Sequence, residues 1–292
     1  MRLGTRRFHA ARLVFGHGTS NARDEAAYLA LHALGLPPDA GPALPLLERP
    51  VSPRDARRVL ALFERRIRSR EPAAYLTGEA WLGDFRFHVD KRAIVPRSHL
   101  AALLGERLAP WISRPAAVKT ALDLCTGSGC LAVLLAHGFP RASIDAADIS
   151  PAALAVAKIN RQRYGLRNRV RLAESDLFSA LGGKQYDLII CNPPYVTTRG
   201  MRRLPREYRH EPRAALAGGR DGLDLVRRVL AAASRHLSPR GLLVVEVGSG
   251  RNAVEKAWPL VPFTWLDEDG RVFLLTRAEL EAVAPAAAAR AP

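Results

Sequence analysis

Asn192-Pro193-Pro194-Tyr195 directly follows the apolar run 188–191, and its composition points to one kind of chemistry. Two consecutive prolines bring no N–H donors, so the turn offers carbonyl acceptors, Pro193's among them, beside the side-chain oxygen of Asn192. Such a cradle suits a flat NH2 group. The nitrogen of an amide or aromatic amine is a poor nucleophile because its lone pair is delocalised, and acceptors holding both hydrogens fix its rotation. Positive charge that develops on this nitrogen during alkylation is bound more tightly than the neutral ground state. Tyr195 can lie against the flat acceptor group. Asn192, Pro193 and Tyr195 are therefore the catalytic candidates, and a plain proline turn with an Asx cap is the structural alternative.

A second constellation, Asp123-Leu-Cys-Thr126-Gly127-Ser128-Gly129, has glycines where backbone must approach a ligand closely. Gly127, Gly129 and Ala132 also satisfy the loose G-x-G-x-x-A dinucleotide pattern, which leaves a nicotinamide oxidoreductase as a competing reading. The carboxylate of Asp123 suits an ammonium and would repel a pyrophosphate, favouring S-adenosylmethionine as the cofactor. Asp148, some twenty residues after the glycines, is spaced to accept from ribose hydroxyls, and Ser150-Pro151 should cap the next helix and so set its aim. Asp176 could accept from an exocyclic adenine amine. Asp123, Thr126, Gly127, Ser128, Gly129, Asp148, Asp176 and Asn192 are the cofactor-binding candidates; surface turns and helix caps are the alternative for the aspartates.

These residues need a scaffold. Short apolar runs at 120–124, 143–147, 170–172, 188–191 and 242–247 alternate with helical stretches, the rhythm of a doubly wound parallel sheet. Runs 263–266 and 272–276, joined by Asp269-Gly270, predict a C-terminal antiparallel hairpin, and the alanine-rich tail after Glu281 a frayed end. Before about residue 95 the rhythm differs. Asn21 with Asp24, and Ser52 with Pro53 and Asp55, mark two helix starts. On the second helix Leu60, Phe63 and Ile67 form an apolar face opposite Arg54, Arg57, Arg58, Arg65 and Arg68. Trp81, Phe85 and Phe87 around Gly83-Asp84 predict a small hairpin, and a helix should run from Ser98 to about Leu108. The expected division is 1–95, a helical domain with a short hairpin, and 96–292, an α/β domain.

The 292 residues carry Lys+Arg 44 against Asp+Glu 28, a net charge of +16 that favours polyanionic partners, chiefly nucleic acid. With 48% hydrophobic residues the chain can bury a sizeable core. No apolar run is long enough to cross a bilayer and Met1 to Phe15 lacks a secretory apolar segment, so a cytoplasmic protein without membrane contact is expected. Cys125, Cys130 and Cys191 lack metal-knuckle spacing, so free thiols and no metal are expected.

Asp123 to Gly129 together with Asn192 to Tyr195 resembles the HemK-type class I methyltransferases, which modify glutamine amide nitrogen in protein substrates. The resemblance spans nearly the whole chain. Gly16-His17-Gly18-Thr19 with Asp24-Glu25-Ala26, Glu207-Tyr208-Arg209-His210-Glu211-Pro212, and Phe263-Thr264-Trp265-Leu266 are similar to the branch acting on large-subunit ribosomal protein L-three. Ser98-His99 lacks the acidic run of the release-factor branch, which stays as an alternative. An adenine amino-methyltransferase on DNA or RNA, whose acceptor presents the same planar NH2, is the nearest rival from outside the family. The resemblance implies a helical substrate-recognition domain, a seven-stranded Rossmann-like sheet, and cofactor contacts through Gly127, Gly129, Asp148 and Asn192. It also implies that Asn192 and the Pro193 carbonyl orient the acceptor amide. Contact with ribosomal RNA, through the helix bearing Arg54 to Arg68 and through Arg199, Arg202, Arg203 and Arg206, is the further partner expected from charge.

Overall fold

The computed structural model describes residues 1–37 and 50–288, with side chains as far as residue 282. Seven strands form one sheet: β3 (Thr120–Leu124), β4 (Ser143–Asp148), β5 (Val170–Glu174), β6 (Tyr186–Cys191), β7 (Leu237–Glu246), β8 (Thr264–Trp265) and β9 (Val272–Thr276). Their order is β5-β4-β3-β6-β7-β9-β8. The β3–β4, β4–β5, β3–β6 and β6–β7 pairs are parallel, whereas β9 runs antiparallel to both β7 and β8. This is the expected doubly wound α/β sheet closed by an antiparallel hairpin.

Alternate residues along β6 feed opposite layers. Leu188 and Ile190 join a core with Leu131, Leu135 and Phe139, while Ile189 and Cys191 join one with Val226, Leu230 and Val254. With both faces covered, the central strands read as nearly continuous apolar runs, which is why they were legible.

The N-terminal helices Arg2–Ala10, Ala22–Ala33 and Pro53–Ser69 pack around Phe8, Ala26, Leu29 and Phe63. Both expected caps form: Asn21 Oδ1 accepts from Arg23 and Asp24 N–H, and Ser52 Oγ from Asp55 N–H. The apolar face of the Pro53–Ser69 helix is shifted from the expected one. Phe63 and Ile67 pack inward as expected, but Leu60 is exposed, and Val59 and Arg66 complete the inward stripe in its place.

Glu79–Leu82 (β1) and Phe85–His88 (β2) form the expected hairpin around Gly83-Asp84, with Leu82 opposite Phe85. Its buried Phe87 packs with Leu131 and Phe139 in the core of the α/β domain. Asn160, on the Pro151–Arg163 helix, accepts from His88 N–H at 2.7 Å and donates to His88 O at 2.9 Å. The helix expected from Ser98 spans Leu100–Gly105. The tail expected to fray continues as a helix, Arg277–Ala288, and residues 289–292 lie outside the described ones. No helix among the described residues is long and apolar enough to cross a membrane.

Candidate active site

Three adjacent parallel strands end side by side. Leu124 of β3 pairs with Ala147 of β4 and with Cys191 of β6, so Cys125, Asp148 and Asn192 begin loops at one edge of the sheet. The chain turns to β4 on one side of β3 and later to β6 on the other, which opens a crevice at the carboxyl ends of the strands.

The glycine loop is shaped from both sides. Thr126 N–H donates to Ala147 O at 3.0 Å, and Gly127 N–H to Asp148 Oδ2 at 2.8 Å, tying the loop to β4. Ser150 N–H donates to the other Asp148 oxygen at 2.9 Å, and Ser150 Oγ caps Ala153 N–H at 3.2 Å, so the expected aim of Asp148 is fixed by its helix. Gly129, at φ +77°, lies so close to the Pro151–Arg163 helix that a Cβ there would sit 3.0 Å from Ala157 Cβ. Gly127, at φ +55°, faces the other way, with nothing within 4 Å of where its Cβ would be. Buried Asn160 donates to Ser128 O at 2.9 Å and so holds the loop from beneath; sequence reading missed it because nothing in its own segment marks it.

Asp123, Thr126 and Ser128 are buried, not lining open space. Thr126 Oγ1 donates to Asp123 Oδ2 at 2.5 Å, whereas buried Asp123 Oδ1 has no hydrogen-bond partner. Burial raises the Asp123 carboxyl to about 7. The direct ammonium contact expected of Asp123 is therefore not open in this arrangement; the residue acts from behind Thr126. Asp176 stands apart, exposed after β5 and paired with Arg228 at 2.7 Å.

Open space beside Gly127 and a carboxylate at the end of β4 fit the nucleoside part of a cofactor such as S-adenosylmethionine. Gly127 and Asp148 would hold its ribose side. When bound, it supplies an electrophilic methyl group on a sulfonium.

Asn192 to Tyr195 leads away from β6 into a cavity of about 200 Å³ lined by Asn192, Pro193, Tyr195, Arg97 and Tyr208. The Asn192 amide has no hydrogen-bond partner among the described residues. Three glycines make room for the turn. A Cβ on Gly218 would sit 2.7 Å from Pro194 O, one on Gly222 2.5 Å from Tyr195 O, and one on Gly248 2.7 Å from the Tyr195 ring. Val196 pairs as an isolated bridge with Ala217, fixing the segment that follows. Tyr195 OH donates to Glu246 Oε1 at 3.3 Å; burial first, and then this carboxylate, push the Tyr195 phenol well above its ordinary value, so it remains a neutral donor.

The family model described as Methyltransferase small domain matches residues 103–205, and the one described as PrmC N-terminal domain matches residues 8–78. A Bordetella pertussis protein named ribosomal protein uL3 glutamine methyltransferase is 54% identical over 283 residues, covering 96% of this chain and 94% of the relative. The chain belongs to this family of glutamine methyltransferases. A Neisseria meningitidis serogroup B relative of the same name is 52% identical, covering 96% of the chain and 92% of the relative. A Bradyrhizobium diazoefficiens one is 45% identical, covering 96% and 90%. The protein is thus an S-adenosylmethionine-dependent methyltransferase, as the two loops implied.

Three of the segments that carried the branch resemblance, Gly16 to Thr19, Asp24 to Ala26 and Glu207 to Pro212, meet in space in this methyltransferase. Glu211 Oε1 accepts from Arg97 Nη1 at 2.5 Å and from Val95 N–H at 3.0 Å, and Oε2 accepts from Arg97 Nη2 at 2.7 Å. The imidazole of His17 lies 3.4 Å from the same oxygen, and its ring centroid is 4.2 Å from that of Tyr208 with the two planes tilted by 50°. Burial opposes ionisation of Glu211, but donors from His17 and Arg97 outweigh it and hold the carboxyl at about 2. Glu207 accepts from Val14 N–H at 3.2 Å and from Arg70 at 2.9 Å, and Arg66 pairs with Glu25 at 2.8 Å.

Ser98-His99 also has a role: the Ser98 hydroxyl and the His99 N–H both donate to Glu246, the second at 2.9 Å. The start of the Leu100–Gly105 helix is thereby joined, through one carboxylate, to Tyr195. Arg97, Glu211, His17 and Glu246 were outside the expected site because their partners lie from 51 to nearly two hundred residues away in sequence.

Proposed function

We propose that this enzyme transfers a methyl group from S-adenosylmethionine to the side-chain amide nitrogen of a glutamine in ribosomal protein uL3. The observation that carries the reading is an unpartnered Asn192 amide beside the Pro193 carbonyl, opening on a small cavity just beyond β6, the strand that pairs with the one ending in the glycine loop. The near-full-length relatives bearing that name support the choice of acceptor. Asn192 Oδ1 and the Pro193 carbonyl take one hydrogen each of the amide NH2 and hold its plane, and Tyr195 covers it.

In the transfer the nitrogen lone pair forms the new N–C bond and the S–C bond electrons stay on sulfur. Charge on nitrogen strengthens the two hydrogen bonds, each worth roughly 1.5–3 kcal/mol when one partner is ionised. The N-methylated cation is acidic and loses its proton to water, leaving a neutral secondary amide. Asn192→Ala should lower kcat by at least about a hundredfold on uL3 while S-adenosylmethionine binding, followed by calorimetry, is unchanged. Normal turnover with normal cofactor binding would remove the acceptor cradle from the mechanism. Mass spectrometry of uL3 from cells with and without the enzyme tests the acceptor directly: a single methyl on a glutamine is expected.

The same reading includes contact with ribosomal RNA in an assembly particle. Arg199, Arg202, Arg203, Arg206, Arg209 and Arg213 are exposed and enter no ion pair among the described residues, while the two acids of that stretch, Glu207 and Glu211, are buried and turned to Arg70 and Arg97. On the Pro53–Ser69 helix, by contrast, Arg58, Arg65 and Arg68 are answered by Asp55, Glu71 and Glu64, and only Arg54 and Arg57 of the expected face are exposed without an ion pair among the described residues. The strip beside the acceptor cavity therefore supports polyanion contact better than the helix does. Reversing Arg202, Arg203 and Arg206 to Glu should weaken methylation of assembly particles and flatten its salt dependence. An unaltered rate and salt slope would dismiss the RNA contact.

A further inference from the structure

An amide acceptor has two needs, and the turn at Asn192 meets one. Its NH2 hydrogens go to Asn192 and Pro193, but the carbonyl oxygen carries two lone pairs that lose their water when the side chain enters the cavity. Asn192 Nδ2 can reach at most one of them, in a cyclic amide pair. The other donors on the cavity wall are Tyr195, Tyr208 and Arg97. Tyr195 donates its hydroxyl to Glu246. The Tyr208 hydroxyl is turned to the N-terminal domain, where it lies 2.6 Å from the Cβ position of Gly16. Arg97 differs from both. Its fork is engaged with Glu211, yet its side chain is 28% exposed and its Nε has no partner among the described residues.

We propose that Arg97 donates to the carbonyl oxygen of the acceptor amide and is a specificity-determining residue for the methyl transfer. The assignment rests on a glutamine amide being the acceptor. Glu211 would then be its positioning residue, holding the guanidinium plane by two parallel bonds while Val95 N–H holds Glu211 in turn and His17 packs 3.4 Å from it. Tyr208, 5.4 Å from the guanidinium carbon at its ring centroid, bounds the movement on one side. A donor at oxygen and acceptors at nitrogen together read a primary amide in a single orientation, with nitrogen toward the glycine loop.

Removing Arg97 alone would leave Glu211 buried and unpaired, so the informative comparison is Glu211→Gln against the double variant Arg97→Gln/Glu211→Gln, in which neither charge is stranded. With uL3 as acceptor, the double variant should show a KM for uL3 about ten- to hundredfold above that of Glu211→Gln, with the S-adenosylmethionine affinity of the pair alike and the double variant at least as stable to heat. A uL3 variant carrying Glu at the acceptor position should compete with wild-type uL3 on Glu211→Gln enzyme, and at least tenfold less well on the double variant. If the two variants have the same KM and the same inhibition, Arg97 is only the structural partner of Glu211. If wild-type enzyme transfers no methyl to uL3, the reading beneath the assignment falls, and that outcome is seen before any variant is made.

Discussion

At the scale of single residues, the buried carboxyl of Asp123 makes the loop sensitive to pH. Its ordinary value of 3.8 is raised to about 7 by burial, so between those limits the folded chain keeps a proton that the unfolded chain has lost. The stabilisation is complete below about 3.8 and disappears as pH rises through about 7. Asp123→Asn, neutral throughout, should therefore gain melting temperature relative to wild type as pH rises from 4 to 8 in ligand-free protein, measured by calorimetry. Parallel curves would mean the carboxyl titrates at its ordinary value. Glu211 has the opposite sense: held at about 2, it contributes above the ordinary glutamate value of 4.5 and loses that contribution as pH falls toward 2.

Among the elements, two glycines divide the labour of the site, and each can be tested against the other. Gly129 sets the distance between the glycine loop and the Pro151–Arg163 helix, and Gly248 sets the distance between the end of β7 and the Tyr195 ring. Both have positive φ, so alanine is strained as well as crowded. Gly129→Ala should weaken S-adenosylmethionine binding. Gly248→Ala should leave that binding intact and lower kcat/KM for the acceptor by about ten- to hundredfold, because a displaced ring no longer covers the amide. Equal effects of both variants on both measurements would mean that the two loops move as one body. The strands themselves were legible because alternation and apolar runs are local signals. The shift of the Pro53–Ser69 face was not, because Arg66 counts as a surface residue until Glu25 and the carbonyl of Val14 are seen beside it.

For the whole molecule, the joint between the helical domain and the α/β domain is made of charges out of water. Arg66 is fully buried, with Glu25 at 2.8 Å and Glu207 at 3.9 Å. Arg66→Met strands the buried carboxylate of Glu25, since Glu207 keeps Arg70, and should cost about 3–5 kcal/mol, read as a large fall in melting temperature. Adding Glu25→Leu should recover part of it. A small effect from Arg66→Met alone would mean that the carboxylate takes a proton or water instead. The joint also matters for function, because Glu207 and Glu211 are four residues apart on one segment: one holds Arg70, the other Arg97 on the cavity wall. The N-terminal helices are thereby in mechanical contact with the wall of the cavity.

From the residues in order, two things were determined: a parallel sheet, and the two loops at Gly127 and Asn192 that supply its chemistry. Each loop directly follows its strand, so motif and position are written in one contiguous stretch. Tertiary structure alone decided that Leu124 stands beside Cys191, that Asp123 is sealed behind Thr126, and that Glu211 and Glu246 bind partners 114 and 148 residues away. A carboxylate has the same chemistry in sequence whether it ends in water or in the core, and only the packed chain chooses its dielectric and its donors.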